Sequence, residues 1–203
     1  VLTIPIKQIK SQHDLSLSHA KWLKQKYNNV EHHLLEMDKI FTSFSQVLNK
    51  FDNEHGYANS RARLRMATLY QVAAANSGIV VGTGNKVEDF GVGFYTKYGD
   101  GGVDISPIAD CTKTQVWELG RHLGVSEDII NTSPTDGLWD DGRNDVQQLG
   151  MSYEDLEKAM VNKNDPNYQK YLPRQNTLFC HGYTDIFLIS GLCFCSVKSL
   201  NAH

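Results

Sequence analysis

The sequence predicts an α/β domain built on a parallel sheet. Two observations carry this. Short apolar strands alternate with amphipathic helices along the chain. The run 79–81, Ile-Val-Val, is compact and apolar and is followed at once by Gly82-Thr83. That is the pattern of a strand buried on both faces, with a ligand loop at its carboxyl end.

Taken in order, residues 1–6 form a short apolar strand. Ser11 and Asp14 have capping-box spacing and predict a helix with Leu17, Ala20, Leu23 and Tyr27 on one face. A second strand falls at 32–37. Asp38 is placed as the cap of a helix whose apolar positions, Ile40, Phe41, Phe44, Val47, Leu48 and Phe51, follow the 3.6-residue period. Asn59 is the predicted cap of a longer helix to about Asn76, with Leu69, Val72 and Ala73 inward and Gly78 ending it. A glycine-rich loop then runs through Gly102. Thr112 starts a helix that buries Val116, Leu119 and Leu123 and stops at Gly124. Ser152 and Asp155 repeat the capping-box spacing before Leu156, Ala159 and Met160.

With 203 residues, 40% of them hydrophobic, the chain can fill the core of one domain. A net charge of −3 with dispersed Lys and Arg argues against a nucleic-acid partner and against a polybasic membrane patch. Cys111, Cys180, Cys193 and Cys195 match no zinc spacing, so a reducing, cytoplasmic setting is expected. The apolar run 187–197 is about half the length that spans a bilayer. Residues 1–6 are too short for a signal peptide and read as a strand entered midway.

Three segments concentrate charged, hydroxylic and small residues. In 59–66, Asn-Ser-Arg-Ala-Arg-Leu-Arg-Met, Arg61 and Arg65 share a helix face and Arg63 points elsewhere. Such arginines suit phosphate or carboxylate ligands, or form a solvated basic face. In 82–88, Gly-Thr-Gly-Asn-Lys-Val-Glu, the glycines admit close backbone approach. The order fails the dinucleotide fingerprint. Thr83 could bond a nucleotide and Glu88 is a hard oxygen donor for Mg²⁺; the same stretch also reads as a plain strand-to-helix turn. The run 94–104 holds Lys97, three glycines, Asp100 and Asp104 within eleven residues. It is either a ligand loop or a flexible surface loop.

Together these segments carry a resemblance. Asn-x-x-Ala-Arg-x-Arg-Met, Gly-Thr-x-x-x-x-Glu, Phe-Tyr-Thr-Lys-Tyr-Gly-Asp-Gly-Gly-x-Asp and Thr112-Lys113, in this order, resemble the NAD synthetase family. Residues 133–139 (Ser-Pro-Thr-Asp-Gly-Leu-Trp) and 149–153 (Leu-Gly-x-Ser-Tyr) extend the likeness, which covers roughly residues 1–162. It implies the adenine nucleotide α-hydrolase-like fold, Rossmann-like, with helices on both faces of the parallel sheet. It implies ATP-dependent amidation of deamido-NAD through an acyl-adenylate, with AMP and pyrophosphate released and Mg²⁺ required. Ammonia is the nitrogen donor, free or from glutamine. A homodimer is also implied.

Residue by residue, the resemblance makes Arg63, Lys97 and Asp104 deamido-NAD contacts, Thr83, Lys113 and Thr135 ATP contacts, and Glu88 a magnesium ligand. Lys113 and Lys97 are the implied catalytic lysines. Two departures stand out. The family's pyrophosphate loop, Ser-Gly-Gly-x-Asp-Ser, does not occur here, so the first strand and that loop are expected to be missing. The family's His-Lys pair is replaced by 176–182, Asn-Thr-Leu-Phe-Cys-His-Gly. The expected organisation is a partial synthetase domain over 1–171 and a divergent tail over 172–203, whose character suggests a shifted reading frame or an assembly artefact, with genuine packing of its own or a membrane-facing patch as the alternative. The competing readings are a different ATP pyrophosphatase, such as a GMP or argininosuccinate synthetase relative, and an inactive chain that keeps fold and dimerisation.

Overall fold

The computed structural model describes residues 1–171. The expectations for Cys180, Cys193, Cys195, the 176–182 stretch and the 187–197 run lie outside the described residues. Among the described residues one parallel strand pair and one isolated parallel bridge, with helices around them, give an α/β fold. Strand β1 (Leu2–Thr3) pairs with β2 (His33–Leu34) in parallel, Leu2 facing His33. The hydrogen bonding continues past the strand ends, from Leu35 N to Thr3 O and from Met37 N to Pro5 O. The bridge joins Val81 and Ile105 and is closed by Gly82 N donating to Ile105 O over 2.7 Å.

The expectation of a strand at 79–81 buried on both faces is corrected. Val80 is 4% exposed, but Ile79 and Val81 are 60% and 55% exposed. Alternation of side chains across a strand puts only Val80 on the covered face. The bridge also uses one edge only. Among the described residues Val81 N–H and C=O take no hydrogen bond.

Helix α1 (Lys10–Lys26) begins one residue ahead of the expected box. Its cap position is Ile9, with no side-chain cap, and Asp14 pairs with Lys10 at 2.7 Å. Helix α2 (Asp38–Val47) buries Phe41, while Ile40 and Val47 stay exposed. Phe51 lies in a following single turn (Asn49–Phe51) and is also exposed. Helix α3 (Glu54–Ala75) starts at Asn53, not Asn59: the Asn53 side chain accepts from Gly56 N at 2.7 Å. Glycine three residues into a helix costs less than the cap bond gains. Asn59 sits inside the helix and accepts from Thr96 Oγ1.

Helix α3 spans the strand pair and the bridge. Arg65 Nε donates to Ile4 O beside β1, and Tyr70 OH donates to Asp104 beside Ile105. A short π-helical turn (Lys86–Val92) then leads to α4 (Lys113–Leu123), α5 (Glu127–Ile130), α6 (Asp145–Leu149) and α7 (Tyr153–Val161). Leu119 and Leu123 are 41% and 45% exposed rather than buried, so α4 packs on a narrower stripe than its periodicity suggested. The core lies under the π turn, where Val87, Val92, Phe94, Leu149, Tyr153 and Leu156 meet.

Candidate active site

Four elements present their first turns to one place. Asn85 caps the π turn and accepts from Val87 N and Glu88 N. Thr112 caps α4 in a full capping box with Gln115, and Lys113 is the first helical residue. Asn144 caps α6, which begins with Asp145. Ser152 caps α7, which begins with Tyr153, as the spacing predicted. Each cap satisfies a free backbone N–H and so fixes where its helix begins.

These side chains form one network. Lys113 Nζ lies 2.8 Å from Glu88 Oε1 and 4.9 Å from the centre of the Tyr153 ring. Tyr153 OH is 2.7 Å from the same Glu88 oxygen and 2.7 Å from Asp145 Oδ2. Asp145 is 4% exposed, and its Oδ1 has no partner. Burial, reinforced by the charge of Glu88, pushes the Asp145 carboxyl up to about 6. Burial and the two carboxylates push the Tyr153 phenol well above its ordinary value.

The network forms part of the wall of a cavity of about 580 Å³. Thr83, Glu88, Lys113 and Thr135, four of the seven sequence-derived candidates, line it together with Gly82, Arg65, Asp100, Asp136 and Asp145. They come from positions 52 residues apart (135 − 83) along the chain. The Thr135 hydroxyl donates to Arg143 O and accepts from Gly137 N. Arg65 donates to Ile4 O and to Gln8 Oε1, and burial pulls its guanidinium down to about 10.

The other three candidates stand apart from this cavity. Arg63 Nε donates to the Lys97 carbonyl at 3.0 Å, so those two residues meet each other on a different face of α3. Lys97 Nζ lies 5.1 Å from the Tyr98 ring centre. Asp104 is engaged in the fold: Oδ2 accepts from Val80 N at 2.7 Å and Oδ1 from Tyr70 OH at 3.2 Å. Sequence reasoning passed over Asp145 and Tyr153 as site residues, and offered Arg65 as an anion-binding arginine without assigning it a ligand. The capping signal at Ser152 marked the helix start beside Tyr153, but no local pattern says that a helix's first residue faces a site rather than solvent.

The set of donors suits a hard divalent cation held jointly with phosphates. Among the described residues no cluster of three or more His, Cys, Asp or Glu could hold a metal alone. Glu88 and Asp145 are hard oxygen donors that line one cavity, and Lys113 carries positive charge beside them. No described helix is long and apolar enough to cross a membrane.

A family profile described as NAD synthase matches residues 1–179. The NH(3)-dependent NAD(+) synthetase of Carboxydothermus hydrogenoformans is 49% identical over 137 residues, which is 66% of this chain and 56% of the relative. That of Mesoplasma florum is 41% identical, over 66% of this chain and 55% of the relative. The chain thus spans about half the length of the curated relatives it matches. Among solved structures, NMN synthetase from Francisella tularensis superposes with a TM-score of 0.75 at 31% identity, covering 86% of this chain and 70% of that one. NH3-dependent NAD synthetase from Campylobacter jejuni, in complex with the nitrate ion, gives 0.63 at 24% identity, over 86% and 71%, a likeness of fold.

Proposed function

The chain belongs to the NAD synthase family, and from that premise we propose that it serves NAD biosynthesis by amidating deamido-NAD at the expense of ATP. A carboxylate is a poor electrophile. Transfer of an adenylyl group makes it an acyl-adenylate, pyrophosphate leaves, and ammonia then displaces AMP. The observation that carries the proposal is the convergence of Thr83, Glu88, Lys113 and Thr135 on one cavity, with Lys113 and Glu88 already paired.

In this reading Lys113 neutralises phosphate charge and Thr83 and Thr135 orient the nucleotide. Glu88, aided by Asp145, would hold Mg²⁺, which would supply positive charge against the phosphates. Arg63 and Lys97, close together on the other side of α3, would bind deamido-NAD, with Asp104 reaching it only if its bonds to Val80 and Tyr70 open. A homodimer in the cytoplasm, using free ammonia or ammonia supplied from glutamine elsewhere, belongs to the same proposal. The support for it is the family assignment.

The test mixes the purified chain with ATP, Mg²⁺, deamido-NAD and ammonia. NAD, AMP and pyrophosphate in equal amounts are expected, either from the chain alone or after a segment carrying Ser-Gly-Gly-x-Asp-Ser is restored upstream. No product in either arm sinks the proposal. Because one similar structure is an NMN synthetase, deamidated NMN is run beside deamido-NAD. Faster amidation of the mononucleotide would replace the proposed substrate.

A further inference from the structure

Glu88 has two donors on one oxygen, and they differ in kind. Lys113 reaches Oε1 with a long, flexible stem from the first residue of α4, and its side chain is 17% exposed at the cavity. Tyr153 reaches the same atom from a ring that is 2% exposed, packed edge-on against Trp117 at 6.0 Å and inside the main core. A rotor-rich ammonium can leave for another anion at small cost, whereas a buried ring with two torsions cannot.

The hydroxyl is also shared. It lies 2.7 Å from Glu88 Oε1 and 2.7 Å from Asp145 Oδ2, yet it has one hydrogen to give. With its one hydrogen given to Glu88 Oε1, Tyr153 ties the π turn to α7 at the point where the cavity begins. We propose that Tyr153 is a positioning residue of this site: its hydroxyl is the fixed donor that keeps the Glu88 carboxylate in place while Lys113, the exchangeable donor, leaves it for a phosphate. The tether itself rests on the geometry. The destination of Lys113 rests on the function proposed above.

The experiment measures acetylation of each lysine in the full chain by a brief pulse of acetic anhydride and mass spectrometry, with exposed Lys39 as reference. In the wild-type chain Lys113 is expected to react slowly. Tyr153→Phe keeps the ring over Lys113 but frees Glu88, so Lys113 should react at least threefold faster. Glu88→Gln should give a similar rise, and the double variant should add nothing to the larger single effect, as expected for two groups acting through one contact. An unchanged rate in Tyr153→Phe, or effects that multiply in the double variant, overturns the tether. Should Tyr153→Phe fail to fold, the wild-type hydroxyl proton carries the test by NMR on ¹³Cζ-labelled tyrosine: slow exchange supports the tether, and exchange at the solvent rate overturns it. ATP is then added to Tyr153→Phe, which keeps Glu88. Restored protection of Lys113 supports its move to phosphate. No protection, with the tyrosine result standing, overturns that move and the ATP role of Lys113 but leaves the tether of Glu88 supported.

Discussion

Asp145 shows how a single residue can cost stability for the sake of a site. Its carboxyl is pushed up to about 6 by burial and by Glu88. A folded-state value above the unfolded one means that the folded chain binds the extra proton, so stability falls as pH rises from about 4 to about 6 and levels off above. Asp145→Asn keeps an acceptor for Tyr153 and removes the charge. At about 1.4 kcal/mol per pKa unit, it should be roughly 3 kcal/mol more stable than the native chain at pH 7 and little changed at pH 4. Urea unfolding at both pH values checks this, and an equal effect at each would contradict it. Lys113→Ala has the opposite character. It leaves Glu88, 15% exposed, without its counter-charge. ATP affinity should fall at least tenfold by calorimetry, on the scale of about 1.5–3 kcal/mol for a charge-assisted bond. Unchanged affinity would remove Lys113 from the nucleotide site.

At the scale of elements, the site is a meeting of capped first turns. Thr112→Ala should cost about 1 kcal/mol in thermal or urea unfolding, and it should also raise the reactivity of Lys113, the residue it precedes. A helix cap with no bearing on the site would show the first effect without the second. Gly82 marks a different constraint. A Cβ there lies 2.6 Å from Val103 Cγ2, and the β-branched valine has little freedom to yield. Gly82→Ala should therefore cost about 1–3 kcal/mol. These features divide what the sequence makes legible. Ser152, Thr112 and the loop at Gly82 were readable because capping and close approach are local. The start of α3 was misplaced because Asn53 and Asn59 are equal as caps and only tertiary contact with Thr96 separates them. The grouping of Asp145 and Tyr153 with Glu88 was illegible because it joins positions 65 residues apart by a hydroxyl contact.

For the whole molecule, the strand pair and the bridge leave apolar surface in water. Ile79, Val81 and Ile105 are 60%, 55% and 45% exposed. Exposed apolar strands with free edges invite pairing between chains. Concentration-dependent association is expected in light scattering, and Ile79→Lys should reduce it several-fold without lowering ATP affinity. Association unchanged by that substitution would place the sticky surface elsewhere. Four of the motif residues line one cavity, whereas Arg63, Lys97 and Asp104 are not among its lining residues. In the proposed function these residues share a task without sharing a wall.

Asp104 has a practical consequence for anyone scanning this chain by mutation. Its carboxylate ties down the amide of Val80 and the phenol of Tyr70, acting as a rivet between the strand and α3. Any library scored by output alone will flag position 104 as essential, and the flag will mix two causes. Abundance and catalytic rate must be read separately there, since a loosened rivet depletes the folded population before any question of substrate arises.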